Sequence, residues 1–124
     1  MGNWSTSAKS AAMVAKLAKI DAGINPATIE IGTSGMGNIL LSFTLSKPSF
    51  VETGTGKLIL LNVPMDANGL LDGIATEARI KDGIGVTVLG GLTVGTMSGD
   101  VIINNTAIAT NQPASLQGMT IIHG

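Results

Sequence analysis

The sequence contains no cysteine and only one histidine, His123. The lack of cysteine and the scarcity of histidine exclude several classes of site. Without cysteine the chain has no disulfide, no thiolate metal site and no cysteine nucleophile. One histidine cannot build a multi-histidine metal site, and a solvated side chain near the terminus explains His123 better than a catalytic base does. We therefore predict no metal site, no cofactor and no enzymatic activity.

Aromatic and charged residues are also scarce. Aromatic residues make up 2% of the chain and charged residues 12%, against about 25% charged residues in an average soluble domain. With a net charge of −1 and few rings for base stacking, the chain has neither feature that typically attracts nucleic acid. Mean hydropathy is +0.43, yet no apolar run is long enough to span a membrane. We predict no nucleic-acid partner, no membrane partner and synthesis in the cytoplasm.

The few charges are unevenly distributed along the chain. All seven lysines and arginines lie at or before Lys81, and from Gly83 to Gly124 the only formal charge is Asp100. Soluble proteins normally carry many surface charges, whereas the centres of protein interfaces are depleted of them. Two interpretations have equal weight: either uncharged polar side chains solvate this third of the chain, or much of it faces other subunits.

The N-terminal part of the sequence has a helical pattern. Residues 5–22 are rich in alanine, their larger apolar residues recur at helical spacing, and either Ser5 or Ser7 can cap the first turn. Asn25-Pro26 stops the helix. We predict an N-terminal arm at residues 1–4, a helix at 5–22 and a single β domain at 27–124.

After residue 26 the pattern changes to short strands separated by turn residues. Such strands at intervals of about 8–12 residues are typical of an all-β sandwich or barrel. We predict a mainly β fold: an antiparallel β-sandwich or small barrel preceded by one N-terminal α-helix. A loop is expected at residues 64–73, and Gly90-Gly91 marks either a bulge in one strand or a turn between two. The other predicted strands are 27–31, 39–45, 57–63, 74–80, 101–104 and 116–122.

Three partial motifs do not predict a catalytic or metal site. Asp66 to Glu77 resembles a calcium loop, but Leu70 and Leu71 stand where an oxygen ligand and a glycine are required. An Asx-rich turn is the favoured interpretation, with incidental cation binding left open. The segments 54–57 and 32–36 each lack residues that a phosphate-binding loop or a nucleophile elbow needs.

Several segments occur in an order that resembles a group of small structural proteins of tailed bacteriophages. These proteins carry a Gly-x-Asn-Pro-Ala-Thr stretch after an alanine-rich helix, and three further patterned segments follow in order. The corresponding residues here are 23–28, 40–50, 95–108 and 115–121. The chain departs from the group at Ala75–Ile80, where related chains often have an aromatic-rich strand.

The resemblance implies a non-enzymatic virion component, made in the cytoplasm of the bacterial host. We expect a capsid decoration or cement protein that bridges capsomers, binds the major capsid protein or other virion proteins, and forms a homo-oligomer. A neck, collar or tail component is the alternative location. A host-receptor or glycan-binding module is the alternative of another class, although the chain has no tyrosine. The candidate partner contacts are Trp4, Met13, Leu17, Ile20, Val101, Ile103 and Ile121.

Overall fold

The N-terminal helix is present and begins where the sequence predicts. The computed structural model describes residues 5–22, 25–53 and 57–122, without the side chains of residues 6, 7 and 122. Helix α1 spans Thr6–Ile20, and the Ser5 hydroxyl oxygen accepts a hydrogen bond from the Ala8 N–H at 3.2 Å. Ser5 is therefore the N-cap, and its side chain satisfies one of the free amides of the first turn. At the other end, the Asp21 N–H donates to the Leu17 carbonyl oxygen.

The described residues after the helix form short strands, which confirms the mainly β fold with one N-terminal helix. The strands are β1 (Thr28–Gly32), β2 (Ile39–Thr44), β3 (Phe50–Glu52), β4 (Lys57–Leu60), β5 (Met65–Asn68), β6 (Gly73–Ile74), β7 (Glu77–Lys81), β8 (Thr87–Gly95), β9 (Val101–Ile103), β10 (Ala107–Ile108) and β11 (Pro113–Ile122).

One curled sheet, shaped as a half-barrel, contains nine of these strands. Its order is β2-β1-β7-β8-β9-β11-β4-β3, and β5 also pairs with β11. The pairs are antiparallel except for β8 with β9, which run parallel. Strands β6 and β10 form a separate two-stranded ribbon. This curled sheet matches the expected antiparallel β-sandwich or small barrel preceded by one helix.

The core lies inside the curl, and α1 helps to cover it. In β2 the apolar side chains of Leu41 and Phe43 are buried while Ser42 and Thr44 are exposed, as period-two alternation predicts. Strand β4 alternates in the same way. Met13 is fully buried against this sheet. Burying one such apolar side chain contributes about 1.5–3 kcal/mol, so the helix adds to the stability of the β domain.

Two of the predicted β-region boundaries are wrong. The predicted loop at 64–73 contains β5, which continues the line of β4 along β11. The predicted strand at 74–80 is two strands, because the chain changes partners between Ile74 and Glu77. There the Ala75 N–H donates to the Thr106 carbonyl oxygen, and the Thr76 N–H donates to that of Gly32. As a result Ile74 is exposed and Ala75 is buried, whereas a single strand that buries Ala78 and Ile80 would bury Ile74 and expose Ala75.

Gly90-Gly91 is a bulge in one long strand. Between the pairs Ile80↔Leu89 and Ala78↔Leu92, β8 has one more residue than β7. Gly91 has a φ of 67°, in the left-handed region that glycine adopts without strain. Of the two alternatives, the single bulged strand is therefore confirmed.

Candidate partner-binding surface

Four of the seven predicted partner contacts belong to the hydrophobic core, and the prediction for them is corrected. Met13, Ile20, Val101 and Ile103 are at most 2% exposed, so their side chains belong to the core and form no exposed contact surface. Helical or alternating spacing identifies an apolar face, but it does not say whether that face meets the chain's own sheet or another protein.

The remaining three predicted contacts differ in their positions. Leu17 and Ile121 are half-buried and pack against the core. Trp4 lies outside the described residues. None of the six described candidates therefore forms an exposed apolar surface, and such surfaces occur elsewhere in the chain.

Two polar contacts fasten α1 to the sheet. The Asp21 carboxylate accepts a hydrogen bond from the buried Ser49 hydroxyl at 2.7 Å and two longer ones from the Ser49 N–H. In the first half of the helix, the Ser10 hydroxyl donates to the Glu52 carboxylate. The helix is therefore an integral part of the β domain and does not extend from it as an arm.

The segment from Leu70 to Ile74, which runs into β6, carries three exposed large apolar side chains. Leu70 is 53% exposed, Leu71 is 47% exposed and Ile74 is 57% exposed. We call these three side chains, with the backbone that joins them, the apex. Isolated apolar side chains are common on protein surfaces, whereas several together are typical of interaction sites.

The apex is held by hydrogen bonds from the backbone around it. The Leu70 N–H donates to the Leu40 carbonyl oxygen at 2.8 Å, and the Gly69 N–H donates to that of Gln112 at 2.8 Å. Asp72 Oδ1 accepts from the Thr110 N–H at 2.7 Å. The backbone is thus fixed before and within the apex, which lowers the ordering entropy that a partner's binding would cost.

Asp72 is the one charged residue inside the apex segment, and its carboxylate is occupied. The N–H and the hydroxyl of Thr110 both donate to it, and these bonds lower the pKa of Asp72 because they favour the charged form. The acidic ends of the calcium-like segment do not join it: Asp66 lies in β5, and Glu77 in β7 accepts from the Gly35 N–H at 3.1 Å. Residues 5–22, 25–53 and 57–122 contain no cluster of three potential metal ligands.

Asp100, the only formal charge after Lys81 apart from Asp82, fastens the β8–β9 connection. Its carboxylate accepts from the Thr93 N–H at 3.0 Å and from the Thr93 hydroxyl at 3.2 Å. Its own N–H donates to the Thr93 hydroxyl oxygen at 3.0 Å. The loop that this contact closes exposes 94% of Met97. Asp100 therefore has a structural partner, and the loop beside it presents an apolar side chain.

A second group of charges is also satisfied within the chain. Glu30 Oε1 accepts from Arg79 Nε at 2.8 Å and lies 3.2 Å from Lys81 Nζ, across the paired strands β1 and β7. Partial burial raises the pKa of Glu30, but the hydrogen bonds from Arg79 and Lys81 outweigh it, and the pKa lies below its ordinary value. These three side chains form a local ion-pair group in which one carboxylate is shared by two cations, so the group carries a net charge of +1.

A polar cleft of about 390 Å³ lies beside β10, lined in part by the amides of Asn104, Asn105 and Gln112. The side-chain oxygens of Asn104 and Asn105 accept backbone N–H groups of Ser115 and Ala107. Within the described residues both phenylalanines are buried, so no aromatic ring offers a stacking surface for a sugar. The cleft therefore has no feature that favours a glycan over solvent.

The chain matches no protein-family model, no curated protein and no solved structure. In the part of the chain that the structure describes, no helix is both long enough and apolar enough to cross a membrane. The function proposed next is supported by the resemblance of the sequence segments and by the surfaces that the fold presents.

Proposed function

We propose that this protein is a non-enzymatic structural subunit of a tailed-bacteriophage virion, which decorates or cements the capsid. The observation that carries the proposal is the apex, an exposed apolar surface on a backbone already fixed by hydrogen bonds. Preorganised apolar side chains at the centre of a contact supply much of the binding energy between proteins. The phage-like order of the sequence segments supports the choice of a virion.

The proposed role is mechanical. A subunit that binds two neighbouring capsomers must be displaced before the seam between them opens, so its binding energy adds to the stability of the shell. A modest contact is sufficient when the subunit is present in many copies. The partners would be the major capsid protein or other virion proteins, including further copies of this chain. The exposed Met97 and Ile84 of the charge-poor third offer further apolar contacts.

The copy number separates the capsid from the alternative locations. A cement protein is expected in hundreds of copies per particle, whereas a neck, collar or tail component is expected in a small multiple of the rotational symmetry at that position. Quantitative mass spectrometry of purified particles measures this ratio. Recognition of a sugar on a glycan array would instead support the receptor-binding alternative and contradict the structural role.

The stabilising role is tested with particles that lack the protein. They should assemble but release DNA at a lower temperature than complete particles. Addition of purified wild-type protein should return the release temperature to that of complete particles. The apex variant Leu70→Thr/Ile74→Thr should restore little. The matched control Val51→Thr/Ile59→Thr removes two exposed apolar side chains from β3 and β4 and should restore stability fully. Equal robustness of particles with and without the protein would contradict the cement role.

A further inference from the structure

A groove of about 430 Å³ lies between α1 and the strands β4, β8 and β11. Its walls are mainly apolar, and its charged lining residues are two lysines of the helix, Lys16 and Lys19. The lining residues are Lys16, Lys19, Ile20, Leu58, Val88, Leu89 and Ile121. A groove of this size accommodates a few side chains of a ligand and is not filled by the described part of the chain.

The groove coincides with a missing strand in the sheet. Strand β9 separates β8 from β11, but it pairs with β8 only at Val94 and Gly95. It pairs with β11 only between Leu116 and Met119. We call the space between residues 87–92 of β8 and residues 120–122 of β11 the strand gap. Among the described residues, no strand occupies this gap, which begins where the pairing of β9 with β8 and β11 ends.

Asp100 marks the end of the strand gap next to β9. Its carboxylate accepts a hydrogen bond from the Thr93 N–H of β8, and its carbonyl oxygen accepts one from the Thr120 N–H of β11 at 3.2 Å. Beyond these two bonds, β8 is paired with β7 alone through residues 87–92. A strand edge of this kind retains N–H and C=O groups that can pair with an added chain. Because β8 is bulged here, residues 87–92 lie opposite only residues 78–81 of β7, so the edge is as long as about four regular strand residues, or about 13 Å at 3.3 Å per residue.

The charges at the groove are all of one sign. Lys16 and Lys19 are exposed, they form no ion pair with a described residue, and no carboxylate of a described residue lines the groove. The occupant that matches these features combines a backbone that pairs with β8, an apolar side chain that meets Leu89, and a carboxylate that reaches the two lysines. An extended peptide satisfies all three requirements, whereas a fatty acid satisfies only the last two.

We propose that the strand gap binds an extended, acidic and apolar segment of a partner protein, which enters as an additional strand beside β8. Strand addition of this kind takes its affinity from main-chain hydrogen bonds and its specificity from alternate side chains. The inference rests on the proposed function in one respect: the partner would be another virion subunit. The binding site itself is defined by the groove, the free edge and the two lysines.

The test uses a blocked peptide, Thr-Glu-Thr-Val-Thr-Glu-Thr, titrated into the purified chain. Calorimetry measures its affinity, and amide hydrogen exchange measures protection of residues 87–92. Binding together with protection is expected. The Lys16→Gln/Lys19→Gln variant should bind about fivefold to tenfold more weakly, as expected when two exposed charge pairs are lost. The matched control Lys9→Gln/Lys47→Gln removes the same charge outside the groove and should bind like wild type.

Each alternative result would overturn the inference in a recognisable way. Absence of binding at millimolar peptide, or undiminished binding of a peptide with alternate backbone nitrogens methylated, would exclude strand addition. Binding of dodecanoate with residues 87–92 unprotected, in the absence of peptide binding, would assign the groove to a lipid. An equal loss of peptide affinity in both lysine variants would show that the net charge of the protein, and not the position of Lys16 and Lys19, explains the effect. The particle experiment changes Leu70 and Ile74 and neither lysine. Failure of the proposed cement role and failure of the proposed strand addition can therefore be distinguished.

Discussion

At the scale of single residues, Asp72 and Asp100 each accept hydrogen bonds from the N–H and the hydroxyl of one threonine. Asp21 does the same with Ser49, and Asp82 accepts the N–H groups of its own turn. Bonds of this kind are stronger than those between neutral groups. The chain therefore uses its scarce carboxylates to fix loops and the end of α1.

The contact between Asp72 and Thr110 makes stability depend on pH. Because the pKa of Asp72 in the folded chain lies below its ordinary value of 3.8, its stabilising contribution is complete above that value and is lost as the pH falls through the folded pKa. We expect Asp72→Asn to lower the melting temperature at neutral pH, with the difference disappearing in strong acid. Thermal unfolding across this pH range measures the difference.

Asp66 provides the control for this prediction. It is an exposed aspartate of β5 whose side chain has no hydrogen-bond partner among the described residues. Asp66→Asn should follow the wild-type melting curve at each pH. A constant difference between Asp72→Asn and wild type at all pH values would show that the lost packing, and not the charge of Asp72, explains the change.

At the scale of elements, docking of α1 adds to the stability of the curled sheet, because Met13 is buried in the core that they share. Met13 is fully buried while the next residue, Val14, is 53% exposed. Met13→Ala should lower the free energy of unfolding by about 2–5 kcal/mol, because it leaves a cavity between helix and sheet. Val14→Ala should change it by less than about 0.5 kcal/mol. Urea denaturation measures both values, and a small loss for Met13→Ala would mean that the helix is not docked.

The elements that the sequence predicts well are those determined by local chemistry. The Ser5 cap, the alanine-rich helix and the alternation in β2 depend on neighbours within a few residues, and all three are present. Strands β5 and β10 are not predicted by the sequence, because their pairing partners lie far away along the chain. The burial of Met13 could not be assigned either, since spacing does not distinguish the domain core from an interface.

At the scale of the whole molecule, the surface that carries the proposed function lay in a segment predicted as a loop. Leu70 and Leu71 were the residues that excluded a calcium site there, and the same two leucines form most of the apex. Two leucines in a turn rich in Asx and glycine are the feature from which the apex could have been inferred. The strand gap had no such indicator, because it depends on where β8 and β11 part from β9.

The two proposed surfaces should respond differently to salt. Raising the ionic strength from about 0.1 M to about 1 M shortens the Debye length from about 10 Å to about 3 Å, which weakens contacts made by exposed charges and spares apolar ones. We expect wild-type protein to remain largely bound to particles in high salt, measured by cosedimentation. Leu70→Thr/Ile74→Thr should then dissociate, because the apex contact would be the main one left.

Lys16→Gln/Lys19→Gln completes this prediction. It should weaken attachment in low salt, where its lysines would meet a partner's carboxylates, and should match wild type in high salt, where that attraction is already screened in both proteins. Complete release of wild-type protein in high salt would contradict the prediction that apolar apex contacts hold the protein under these conditions. It would assign attachment to charged contacts alone. Such a result would move the main contact from the apex to the groove, because its charged lining residues Lys16 and Lys19 form no ion pair with a described residue.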